Sequence, residues 1–226
     1  GPYSYGDTVK FDIHVINQGG TWLDSIEVTD YIAPGFAFDA ALNPSWTLGG
    51  TQATTRLKAR FAPGKDSLIC IYLRLQSIED LSKADSAWIN FGEISQAYDT
   101  TGTDVSAEDI DGPLNNNPDD NAGGQPNSPA DDAVDGDGTG VIGDGVDSTD
   151  SDSHDPAFVQ IIDLAMQKQV VDTLGNSILN YGDTLKFAIN LYNQGNVLID
   201  TLDVTDYVPT GFAFIPGTLN TGWDAT

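Results

Sequence analysis

Residues 5–38 read YGDTVKFDIHVINQGGTWLDSIEVTDYIAPGFAF, and residues 181–214 read YGDTLKFAINLYNQGNVLIDTLDVTDYVPTGFAF. The offset is 181 − 5 = 176, and 19 of the 34 positions are identical without a gap. Beyond Phe38 and Phe214 the match continues with one extra residue, so that Leu42, Asn43 and Trp46 answer Leu219, Asn220 and Trp223. A repeat of this length is one folding unit used twice. Within it, Val9, Phe11, Ile13 and Val15 alternate with Lys10, Asp12 and His14, the period-two pattern of a half-buried strand. Leu185, Phe187, Ile189 and Leu191 repeat it. Asn-Gln-Gly at Asn17 and at Asn193 marks a turn.

Working outward, residues 54–61, 67–76 and 87–94 supply further strands, with Ala62-Pro63-Gly64 as a tight turn and one helical turn expected within 78–84. Short strands at regular spacing with Gly/Pro turns predict an all-β fold, a β-sandwich. Cys70 alternates with Leu68 and Tyr72 and is expected to be a buried small hydrophobe. The organisation expected is a module over 1–98, an acidic segment over 99–156 and the front of a second module over 157–226. The second module is preceded by FVQIIDLAMQ, an opening strand with Phe158, Ile162, Leu164 and Met166 expected on its inward face. The first module has only residues 1–4 before the repeat and is expected to lack its own opening strand. That strand would come from an adjacent module of a longer chain, or from a neighbouring copy by strand exchange.

The stretches NYGDTLKFAINLYNQG, DVTDYVPTGFAF and APGKDSLICIYLRL resemble the DUF11-type Ig-like repeat of bacterial surface proteins. The Asp-rich stretch ending DSHDPAFVQIIDLAMQK resembles surface and adhesin-like proteins of Bacteroidota-type bacteria. The proline of the corner shifts by one position between Ala33-Pro34 and Val208-Pro209. The resemblance implies Ig-like sandwiches and an extracellular, cell-surface location, and it implies little about activity.

The net charge is −25, and of 34 acidic residues only Glu27, Glu79, Glu93 and Glu108 are glutamate. This balance argues against nucleic acid and against anionic membrane surfaces. Residues 99–155 hold fifteen Asp, nine Gly and no Lys or Arg. Such a segment reads either as solvated chain or as a coil ordered by Ca2+. The preference for Asp and its ligand-like spacing favour calcium. The candidate metal ligands are Asp99, Asp104, Asp109 and Asp111, then Asp135, Asp137, Thr139, Asp144 and Asp147, then Asp150, Asp152 and Asp155. The window from Asp135 to Gly140 resembles a D-x-D-x-D-G loop, in which alternate oxygens wrap one ion and glycine permits the turn. Thr139 replaces the third acid, and the twelfth position has no Glu, so a standard EF-hand is ruled out.

Catalytic signatures are lacking: the sequence has no G-x-S-x-G elbow, P-loop, Rossmann glycine fingerprint or H-E-x-x-H. His14 is answered by Asn190 in the repeat, and His154 is expected as a surface histidine within the Asp cluster. No pair of acids is singled out for glycoside hydrolysis. Trp46 and Trp223 recur between modules as core packing would require, and Trp22 is answered by Leu198. Asp-Ser and Asp-Thr triplets resemble an O-glycosylation sequon at Thr8, Ser25, Ser67, Ser86, Thr100, Ser148, Thr173, Thr184 and Thr201. A strand-entry capping pattern accounts for the same triplets. The expectation is a non-enzymatic structural building block of an extracellular stalk or filament, with no membrane insertion in these residues. Its partners would be copies of itself or adjacent modules. An adhesin binding a glycan or protein is the alternative.

Overall fold

The computed structural model describes residues 3–116, 134–141, 144–171 and 179–225. It is all-β, with antiparallel strands and only single 3-10 turns between them. The strands are β1 (Thr8–Ile16), β2 (Leu23–Tyr31), β3 (Phe36–Phe38), β4 (Thr47–Gly49), β5 (Gln52–Phe61), β6 (Asp66–Leu75) and β7 (Ile89–Asp99). Three more follow the acidic segment: β8 (His154–Phe158), β9 (Leu164–Val171) and β10 (Lys186–Asn193). A three-stranded sheet β1-β6-β3 faces a five-stranded sheet β4-β5-β2-β7-β8. Between them, Val9, Phe11, Val15, Ile26, Val28, Ile71, Leu73 and Trp88 form the buried core.

The repeated residues explain themselves locally. Asp7 and Asp183 each accept a hydrogen bond at 2.8 Å from the backbone N–H three residues earlier, Ser4 and Asn180. Gly6 and Gly182 both sit at φ 94°, where a side chain would be strained. Asn17 and Asn193 close the next turn through Nδ2 bonds of 2.9 Å to the carbonyls of Thr21 and Val197. Gly35 has a different reason: a Cβ there would lie 2.3 Å from Trp88, so glycine lets the corner lie on the indole.

Three expectations are corrected. On β6, Ile69, Ile71 and Leu73 belong to the core, whereas Leu68 is exposed and Cys70 only half-buried. The strand is apolar on both faces, so alternation did not decide its parity. Phe158 and Ile162 are exposed, while Val159 and Ile161 are buried in the first sandwich; Leu164 and Met166, though exposed, line the groove face of the second repeat with Leu191. The chain leaves β8 at Phe158 and crosses to β9, which breaks the period on which that face was drawn. His154 is 2% exposed and lies inside the structure. Strand β8 pairs with β7 from Ile89↔Phe158 to Glu93↔His154, at the edge of the five-stranded sheet.

The passage between modules is short and held on both sides. Asn196 donates from Nδ2 to the Val159 carbonyl at 2.9 Å and accepts from the Ile161 N–H at 2.7 Å. Tyr5 donates to Asp163 Oδ2 at 2.8 Å. Gly195 packs so closely that a Cβ would stand 2.0 Å from the Ile161 carbonyl oxygen.

Candidate metal centre

Asn115 and Asn116 of the acidic segment lie on the outer face of the β2–β7 sheet. Glu93, 1% exposed, anchors it: its carboxylate accepts the Tyr31 hydroxyl and the backbone N–H groups of Asn115 at 3.1 Å and Asn116 at 3.0 Å. His154 Nε2 stands 3.6 Å from Glu93 Oε1, with both side chains fully enclosed. Beside them Thr29 donates to Asn116 Oδ1 at 2.5 Å, and its hydroxyl oxygen lies 2.9 Å from the Ser95 hydroxyl. Sequence reasoning missed this polar seam because Glu93 and Asn115 are far apart along the chain. The available signal was polar residues at Thr29, Glu93 and Ser95 in strands that otherwise read as core.

The twelve ligand candidates divide by what they do. Asp99 Oδ1 accepts from Thr101 N, Thr101 Oγ1 and Thr103 N, each at 2.8 Å, which closes a turn. Asp104 accepts from Ser106 N at 3.0 Å, and Asp144 from Val141 N at 3.0 Å and Val146 N at 2.9 Å. These bonds hold the Asp99, Asp104 and Asp144 carboxylates below their usual range, Asp144 through its backbone donors and the others chiefly through side-chain hydroxyls. Asp137 accepts from Thr139 N at 3.0 Å and Oγ1 at 2.5 Å. Asp137 and Thr139 are therefore joined to each other as a small capped turn. Asp155 is exposed, and the side chain of Asp147 lies outside the described residues.

The remaining five candidates share one neighbourhood. Burial, then the Asp111 and Asp152 charges, push the Asp109 carboxyl up to about 7. Burial, then Asp111, push Asp152 up to about 6, with Asp150 and Asp135 adding to it. Asp152 Oδ2 is buried with no hydrogen-bond partner among the described residues. Glycine holds the backbones together here. A Cβ at Gly136 would lie 2.3 Å from the Asp150 carbonyl oxygen, and one at Gly138 2.3 Å from that of Asp111. A Cβ at Gly112 would lie 2.3 Å from Ser153 Oγ. The glycines of the D-G-D-G stretch thus serve close packing between chain segments, besides any turn. Among the described residues, no three His, Cys, Asp or Glu side chains converge on a common point as they stand. The donor set nonetheless has the chemistry of a hard-cation site: all candidate donors are oxygen, the carboxylates repel one another, and one buried oxygen has no partner among the described residues.

Of the glycosylation candidates, Thr8, Ser86, Thr100, Ser148, Thr184 and Thr201 are exposed, Ser67 is half-buried and Ser25 is buried. Thr173 lies outside the described residues. The chain matches no family model, no curated protein and no solved structure.

Proposed function

We propose that the chain is a non-enzymatic building block of an extracellular stalk or filament on a bacterial surface, made of DUF11-type Ig-like modules and stiffened by calcium. The observation that supports it most is the joint between modules. Strand β8 belongs to the first sandwich, β9 pairs with β10 of the second repeat, and Asn196 grips the residues between them. A repeat whose joint is held by hydrogen bonds from the next repeat is suited to setting a distance. Asp109, Asp111, Asp135, Asp150 and Asp152 would hold the ion, whose charge would relieve the repulsion among them.

Calcium bound only by the folded state should raise the melting temperature and protect residues 99–155 from protease. Small-angle scattering should show a rod of fixed length in calcium and a looser particle in chelator. Equal protease sensitivity in both would remove calcium from the reading. A flexible-chain scattering profile in both would remove the stalk.

A further inference from the structure

The two repeats differ in what stands beside one carboxylate. In the second, Lys168 of β9 pairs across the ladder with Ile189, and its ammonium lies 2.5 Å from Asp206 Oδ1, with both side chains about a third exposed. In the first, the matching carboxylate is Asp30, fully buried, with Oδ2 accepting from Asn90 Nδ2 at 2.6 Å. Asp30 Oδ1 and Asn90 Oδ1 have no hydrogen-bond partner among the described residues. Two orphaned oxygens side by side in a sandwich interior call for a donor with more than one N–H.

The backbone indicates where that donor enters. The Asn17 N–H bonds to the Lys65 carbonyl, so the odd-numbered residues of β1 turn their N–H and C=O groups toward β6. The even-numbered residues, from Thr8 to Ile16, turn theirs to the opposite edge, where no strand pairs among the described residues. In the second repeat the Gln194 N–H bonds to the Asp163 carbonyl, so β9 occupies the edge used by even-numbered residues of β10. With an offset of 176 these edges are equivalent. Residue Ile189, opposite Lys168, corresponds to Ile13. Ile13 lies against Gly92, which pairs with Asp30. A lysine opposite Ile13 therefore projects toward Asp30 across the one position on β7 that has no side chain.

We propose that the free edge of β1 is an acceptor for one kind of occupant. That occupant is an antiparallel strand of the β9 type, whose lysine sits opposite Ile13 and bonds Asp30 Oδ1 and Asn90 Oδ1. Its register follows from β9: Leu164, Met166, Lys168 and Val170 would stand opposite positions 17, 15, 13 and 11. The ammonium satisfies both orphaned oxygens, and the ladder satisfies the edge. This gives the joint of the proposed filament its recognition rule and rests on that reading for the source of the strand. The peptide assay below requires no filament, so the two can fail separately.

A synthetic peptide of sequence 163–171 is titrated into the intact chain, with hydrogen exchange as a second readout. The expected result is binding, with new amide protection at Lys10, Asp12, His14 and Ile16. A peptide with Lys168→Met should bind at least tenfold more weakly. Asp30→Asn in the protein should abolish the preference for lysine. Using variant peptides keeps the test valid if D30N fails to fold. No binding, equal affinity of the lysine and methionine peptides, or protection elsewhere than β1 would overturn the proposal.

Discussion

The two copies of the repeat share their turns and differ in how deeply the described structure buries their matching side chains. Phe11 is 8% exposed and its counterpart Phe187 is 38% exposed; Trp46 is 6% exposed and Trp223 is 37% exposed. The turns match: Asp7 and Asp183, Gly6 and Gly182, Asn17 and Asn193 have the same geometry. In the first module β5, β6 and β7 cover the core face, and residues 181–225 include no counterparts of them. Local motifs therefore fix turns, and burial comes from strands distant in sequence. The second copy has a groove instead, lined by Leu164, Met166, Leu191 and Leu202.

The largest expected effect tests burial. Phe11→Ala should cost about 3–5 kcal/mol by chemical denaturation, as for a buried aromatic. Phe187→Ala should cost about 1 kcal/mol or less, because its ring already meets solvent. Equal costs would mean that the second copy completes its core in solution.

The joint gives the next contrast. Gly195→Ala places a methyl against the Ile161 carbonyl and should cost about 1–3 kcal/mol. Gly19→Ala, at the repeat equivalent, meets only Asn17 Oδ1 at 3.4 Å and should change stability by less than about 0.5 kcal/mol. Thermal melts of both variants decide whether the module boundary is rigid.

A smaller effect separates the two carboxylates. Burial pushes Asp30 up to about 7, well above its unfolded value of 3.8. A raised folded pKa means the fold binds a proton the unfolded chain releases. Stability from this group is therefore present at low pH and lost as pH rises from about 4 through 7. Asp30→Asn should flatten that slope by a few degrees of Tm, and Asp206→Asn should remove the contact with Lys168. The same slope in the Asp30→Asn variant would reject the assignment.

The smallest effect should be shared by both copies. Asp7→Ala and Asp183→Ala each lose one turn-closing bond and should cost about 1 kcal/mol alike. A large difference between them would show that the turns depend on distant packing.

These contrasts also mark what was legible in the sequence. The parity of β1 was, because polar Lys10, Asp12 and His14 alternate with apolar neighbours. The parity of β6 and of 158–166 was not, because both faces of those runs are apolar. The acidic neighbourhood was half legible. Asp spacing pointed to the region, but five carboxylates cluster, and four others, Asp99, Asp104, Asp137 and Asp144, are occupied closing turns. Whether a side chain caps a turn or faces its fellows depends on which segments pack together, as Gly112, Gly136 and Gly138 show. The burial of His154 depended on Glu93, across a contact that no local pattern encodes.

Strand β8 has a mechanical consequence. Pulled end to end, the chain carries tension through the β7–β8 ladder, while residues 100–153 are looped out of the load path. If β8 peels away, those residues, roughly 54 at about 3.4 Å each, add on the order of 180 Å of length. The acidic loop would act as a fuse, extending before the rest of the first sandwich ruptures. A single-molecule extension trace with no step of that size would show that β8 and the first sandwich fail together.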